Sequence, residues 1–256
     1  MLRIRSLLLV VLCLFFVATA FGENRVPAGT AIPVRFQRSI DAAKANPGEA
    51  VIAKTIQVVT LANGRSLPKG STLIGHVVVA QPFHFDSTPY ARQKPSELSI
   101  HFDKLQAGDA QLPLNLAVRA IANANESRDA AYPHSYDDTD HVGMMKLIGG
   151  EGYSPISKAI KSDDGDVIGY NRKNGVFARL IAGAPESASG MHCDGTDTEQ
   201  SIAIFAPSAC GAYGFGGAFL SSSGQDGSGT FTLATRGHSM KLYAGTTALL
   251  QVTETK

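Results

Sequence analysis

Across residues 96–102 apolar and polar side chains take turns: Leu98, Ile100 and Phe102 fall on one face, Ser99 and His101 on the other. Only an extended backbone with a two-residue repeat sorts side chains in this way, so the segment is a strand with one buried and one wet face. Residues 111–121 repeat the pattern through Leu112, Leu114, Leu116 and Val118. The runs 50–61 and 72–80 are rich in Val, Ile and Thr, and 30–36 is short and extended, with Pro33 favouring an edge or a bulge. Asn46-Pro47-Gly48, Asn63-Gly64, Pro68-Lys69-Gly70-Ser71 and Gly108-Asp109 supply turns between these runs. Strand-like runs return at 202–205, 213–220, 230–235 and 240–252, with a glycine-serine turn at 221–229. With 26 glycines, 12 prolines and no tryptophan, many short strands on tight turns suit this chain better than a helical bundle. The expected fold is mainly β: an antiparallel β-barrel or sandwich with a polar inserted loop and little helix.

Three places put glycine and a hydroxyl residue ahead of an apolar extended run: Ala28-Gly29-Thr30, Lys69-Gly70-Ser71 and Ala244-Gly245-Thr246. Glycine supplies the positive φ that starts such a strand, and the hydroxyl residue enters the ladder. The first and last of these stand at the two ends of the domain, which predicts that the terminal strands are neighbours in a closed or nearly closed sheet.

The start of the chain has a different character. Arg3 and Arg5 precede an unbroken apolar run, 7–17, and Ala18-Thr19-Ala20 then offers small residues where a signal peptidase cuts. That order is a secretory signal, with cleavage expected after Ala20. The run is short of the ~20 residues that span a bilayer, so an uncleaved anchor is the weaker reading. Nor is Cys13 preceded by the small residue of a lipobox. The expected product is periplasmic or extracellular, with no transmembrane span after cleavage. Taking Arg3 and Arg5 from 23 basic residues leaves the 22 acidic ones in slight excess, which gives no pull toward nucleic acid. Cys193 and Cys210 then remain, and an even count in an exported chain favours one disulfide, worth about 3 kcal/mol in the chain-entropy model. Residues 21–256 are read as a single β domain: a first strand set, 26–123; a polar insertion, 124–150; and a second strand set, 151–256, carrying the disulfide.

The segments Ala28-Gly29-Thr30-Ala31-Ile32-Pro33-Val34, Leu67-Pro68-Lys69-Gly70-Ser71-Thr72-Leu73-Ile74-Gly75 and Leu98-Ser99-Ile100-His101-Phe102-Asp103-Lys104-Leu105 resemble the TrbI-type family. The likeness covers about residues 26–121. Members are scaffolds of conjugation and type IV secretion machines whose C-terminal β-barrel builds part of an outer-membrane channel. The resemblance implies a β-barrel, a scaffolding role in the cell envelope, and other envelope proteins or further copies as partners. The Ala-Cys-Gly-x-Tyr-Gly block at 209–214 is similar to one in uncharacterised bacterial secreted proteins, which implies no activity.

Several groups offer chemistry, each beside a plainer reading. His134, Asp137, Asp138, Asp140 and His141 could hold a divalent metal, or could be a solvated acidic loop. Asp163, Asp164 and Asp166 surround Gly165 like calcium ligands, but the glutamate of an EF-hand loop is missing and a hairpin turn is the simpler account. His84 and Asp86 would share a face of a strand, as half of a hydrolase site lacking its nucleophile. Residues 64–71 differ from a P-loop, since Lys69 precedes the second glycine. Tyr90, Tyr132, Tyr136, Tyr153 and Tyr213 could stack on sugar rings, or could be ordinary surface tyrosines. No cofactor is expected. The leading expectation is an exported, non-enzymatic scaffold or interaction module. A secreted carbohydrate- or metal-binding domain and a secreted hydrolase are the alternatives.

Overall fold

The structure is a computed structural model that describes residues 25–61, 64–134, 143–150, 152–183, 193–222 and 229–253. The segment 1–20, expected to be a secretory signal, lies outside the described residues. With strands numbered in chain order, the main sheet runs β16 (Gly211–Tyr213), β9 (Leu116–Ala122), β20 (Thr247–Val252), β1 (Ala31–Phe36), β3 (Ala50–Thr55), β6 (Thr72–Gln81), β7 (Ser96–Ala107), β18 (Thr230–Thr235), β17 (Ala218–Ser222). The strand β8 (Ala110–Pro113) pairs with β7 as well. Every pairing in this sheet is antiparallel except β16 with β9. Short ladders join β2 (Ile40–Asp41) to β19 (Lys241–Leu242) and β4 (Val59–Thr60) to β5 (Ser66–Leu67).

The terminal strands are neighbours, as the glycine-hydroxyl pattern predicts: Ala31 lies opposite Gln251 and Arg35 opposite Thr247. Gly29 and Gly245 both hold positive φ, at 80° and 94°. The sheet curls until Ser222 Oγ on β17 accepts the Val118 N–H of β9 at 2.9 Å. Among the described residues no backbone ladder joins β17 to β9. Inside the curl the rings of Phe36, Phe102 and Phe231, all buried, meet at centroid distances of 6.0, 6.4 and 6.2 Å. Leu73, Val77, Leu98, Ile100 and Leu233 fill the space around them. Rings at these separations gain edge and offset contacts beyond the burial of area alone.

A second layer covers the outer face of β9, β20 and β1. Its frame is a four-stranded antiparallel sheet: β12 (Ala159–Lys161), β13 (Val167–Arg172), β14 (Gly175–Arg179) and β15 (Glu199–Ser201). Beside it stand the hairpin of β10 (Met145–Lys146) with β11 (Gly152–Tyr153) and one helix, α1 (Ala124–Ala131). Small residues of the main sheet (Ala31, Ala120 and Ala122) leave room for Leu147, Ile148, Leu180, Ile202 and Phe205. The arrangement is that of a sandwich over this half of the sheet. Hydrogen bonds stitch the layers together: Gln200 Oε1 accepts the Ala31 N–H at 2.7 Å, and Ser201 Oγ donates to the Val58 carbonyl at 2.7 Å.

Within the polar insertion expected at 124–150, the described residues hold one short helix and core residues. Asn123 caps α1, its Oδ1 accepting the N–H groups of Asn125 and Glu126 at 2.9 Å each. Leu147 and Ile148 further along are core residues. The helix buries only Ser127 and Ala130, so it needs no apolar stripe and its sequence reads as a loop. No helix among the described residues is long and apolar enough to cross a membrane.

Candidate functional site

The two halves of the main sheet differ in cover. Where the second layer protects β9, β20 and β1, the outward residues Ala50, Val78, Asp103, Phe219 and Ser221 on β3, β6, β7 and β17 are exposed. In the middle of this face His76 of β6 stands directly opposite His101 of β7, ring centroids 5.5 Å apart. Two irregularities bracket the pair. At one Val78 is an extra residue on β6; at the other, beside Ile74 and Gly75, Asp103 is an extra residue on β7. A bulge bends its strand and re-aims a side chain. Here it turns the Asp103 carboxylate onto both imidazoles: Oδ2 lies 3.0 Å from His76 Nδ1, and Oδ1 lies 3.6 Å from His101 Nε2.

Glycine is required twice around this cluster. A side chain at Gly75 would overlap the His101 carbonyl, so only glycine lets β6 and β7 approach there. Gly229 has φ +60° and its missing Cβ would stand 3.3 Å from His101 Cε1, leaving the ring its place. The three side chains stay in reach of solvent, at 40% exposure for His76, 42% for Asp103 and 26% for His101. The chemistry available is that of two imidazole nitrogens and a carboxylate on a rigid sheet.

A second polar place is a cleft of about 330 Å³ between α1 and the Gly149-Gly150 turn, lined by Glu126, Asp129, His134, Lys146 and Tyr213 among others. The Tyr213 hydroxyl accepts the Cys210 N–H at 3.0 Å, and burial pushes its phenol pKa up, so it is neutral at pH 7. Gly149 allows this, since a Cβ there would stand 2.5 Å from the hydroxyl. Tyr213→Phe leaves that N–H without its acceptor and is expected to cost about 1–2 kcal/mol, read as a lower Tm. The Ala-Cys-Gly-x-Tyr-Gly block thus has a structural account: Cys210 forms the crosslink, Gly211 takes φ 98° beside β9, and Tyr213 ties the turn.

The residues singled out from sequence scatter. His134 is exposed and its ring Nε2 lies 3.1 Å from the Asp129 carbonyl, while Asp137, Asp138, Asp140 and His141 lie outside the described residues. Asp163, Asp164 and Asp166 form the expected hairpin turn between β12 and β13, closed by the Ser162 N–H on the Asp166 carbonyl at 2.8 Å. His84 and Asp86 are exposed in a non-strand segment after β6, which corrects the shared strand face. Hydrogen bonds from Thr88 hold the Asp86 carboxyl below the usual range. Tyr90 and Tyr132 are exposed, but Tyr153 is buried in the second core and Tyr213 half-buried; Tyr136 lies outside the described residues. Cys193 and Cys210 are joined, their Cα atoms 6.2 Å apart and both residues buried.

Sequence reasoning placed His101 on the wet face of its strand but did not join it to His76 or Asp103. The available signal was the pairing of 72–81 with 96–107 in one hairpin-like ladder, which sets histidines 25 positions apart side by side. No protein-family model, curated protein or solved structure matches the chain.

Proposed function

We propose that the chain is an exported, non-enzymatic module of the cell envelope, a scaffold or interaction domain whose working surface is the outer face of β3, β6, β7, β18 and β17. The observation that carries this reading is the uneven cover of one sheet. One half lies under a disulfide-linked second layer; the other presents Val78 at 39% and Phe219 at 45% exposure on a strand-built surface. Exposed apolar side chains on a rigid face are what a protein partner buries. The leader and the disulfide suit an oxidising compartment outside the cytoplasm. The likeness of 26–121 to TrbI-type scaffold domains points to the same role, with another envelope protein or a second copy as partner.

The test is gel filtration together with sedimentation of envelope fractions. The protein is expected to run as an oligomer or to sediment with the envelope. Phe219→Glu with Val78→Lys is expected to weaken that association about tenfold or more, the effect of losing roughly 1.4 kcal/mol at the contact. A monomer found wholly in the soluble fraction, or an association indifferent to both substitutions, overturns the proposal.

A further inference from the structure

We propose that His76, His101 and Asp103 form a binding site for one divalent transition-metal ion of the zinc, copper(II) or nickel class. The donor set decides the class. Two imidazoles with one carboxylate suit borderline ions, whereas calcium and magnesium want oxygen alone. The donors stand close enough together to share no more than a single ion. Ligand atoms about 2.0–2.2 Å from a shared metal, at tetrahedral or right angles, stand roughly 3.0–3.5 Å from one another. The two nitrogen–oxygen separations here, 3.0 Å to Oδ2 and 3.6 Å to Oδ1 of Asp103, lie close to that range but run to different oxygens.

In the structure the donors close on each other, one imidazole to each carboxylate oxygen, and no trio among the described residues stands arranged around an open centre. A metal must therefore replace the contacts between the donors, with each facing ring nitrogen free of its proton, and turn the Asp103 carboxylate. That carboxylate is 42% exposed, on a bulge, and has room to turn. The imidazoles ride on backbones that the ladder and the close approach at Gly75 hold in register, and Gly229 leaves the His101 ring its place. Three protein ligands leave a fourth position open toward solvent.

The inference rests on this cluster alone and not on the interaction reading, so each can fail without the other. Zn²⁺, Cu²⁺ and Ni²⁺ are titrated into the purified chain by calorimetry, with Co²⁺ added in parallel to report nitrogen and oxygen ligation in the visible spectrum. One ion per chain is expected, with a rise in Tm for the loaded protein. His76→Ala, His101→Ala and Asp103→Asn should each weaken binding at least about tenfold, while His84→Ala, an exposed histidine elsewhere, should leave it unchanged. Asp103→Asn keeps the side-chain shape, so it carries the test if a histidine variant melts early without metal. Absence of binding tighter than about 0.1 mM, or binding equal in wild type and all three variants, overturns the proposal. Envelope association that persists in Asp103→Asn while metal affinity falls shows that the two readings are separate.

Discussion

Arg119→Met is expected to destabilise the fold by about 3–5 kcal/mol, since several buried carbonyls lose a charged donor and each such loss costs about 1–3 kcal/mol. Arg119 is 3% exposed on the outer face of β9, where the second layer covers it. Its Nε donates to the Ala209 carbonyl at 3.0 Å, and one terminal nitrogen donates to the Pro207 carbonyl at 3.2 Å and also to that of Ile181; the other reaches the Asp194 carbonyl. Four carbonyls from three chain segments thus converge on one guanidinium. Burial pulls its pKa down to about 10, so at pH 7 it is still a cation and its donors stay in place. Methionine fills much of the volume but donates nothing: the buried Ala209 carbonyl loses its guanidinium donor, while the Pro207 carbonyl keeps only the Ile181 N–H at 3.0 Å. Arg119→Lys should recover only part of the loss, because one ammonium cannot match a planar fork that reaches four carbonyls. Denaturant unfolding monitored by circular dichroism checks both. A methionine variant within about 1 kcal/mol of wild type would show that water replaces the guanidinium without penalty.

The contrast between Arg119 and its neighbours shows what the sequence discloses. Leu116 and Val118 announce a strand with a buried face, and the structure agrees. By the same alternation Arg119 belongs to the wet face. Only the second layer, contributed by residues 62 to 90 positions further on, turns that face into an interior. Alternation reports burial by the sheet's own curl and is silent about a layer added later in the chain. The helix α1 carried a local signal, Asn123 with Glu126 three positions on, yet its polar composition outweighed it. Tyr153 and Tyr213 look alike in sequence and are sorted only by tertiary contacts. The His76–His101–Asp103 cluster is hidden for a further reason. Its register depends on two bulges, and a slip of one residue would send these side chains to the opposite face.

Breaking the crosslink with Cys193→Ser and Cys210→Ser together is expected to cost about 3 kcal/mol, from the added freedom of the unfolded chain between positions 17 apart. Replacing both cysteines avoids a lone thiol that could pair between molecules. The loss should overlap with that of Arg119. The carbonyls of Asp194, Pro207 and Ala209, which Arg119 binds, all belong to the segment the disulfide closes. Once that segment lifts from the main sheet, it takes the Arg119 contacts with it, and removing the guanidinium then costs less. In a double-mutant cycle the combined loss should fall short of the sum of the separate losses by more than about 0.5 kcal/mol, the scatter expected of independent sites. Strict additivity would mean that crosslink and guanidinium hold separate parts of the second layer. Sub-additivity would identify segment 193–210 as one cooperative flap, held at its closure by sulfur and along its length by a single buried cation.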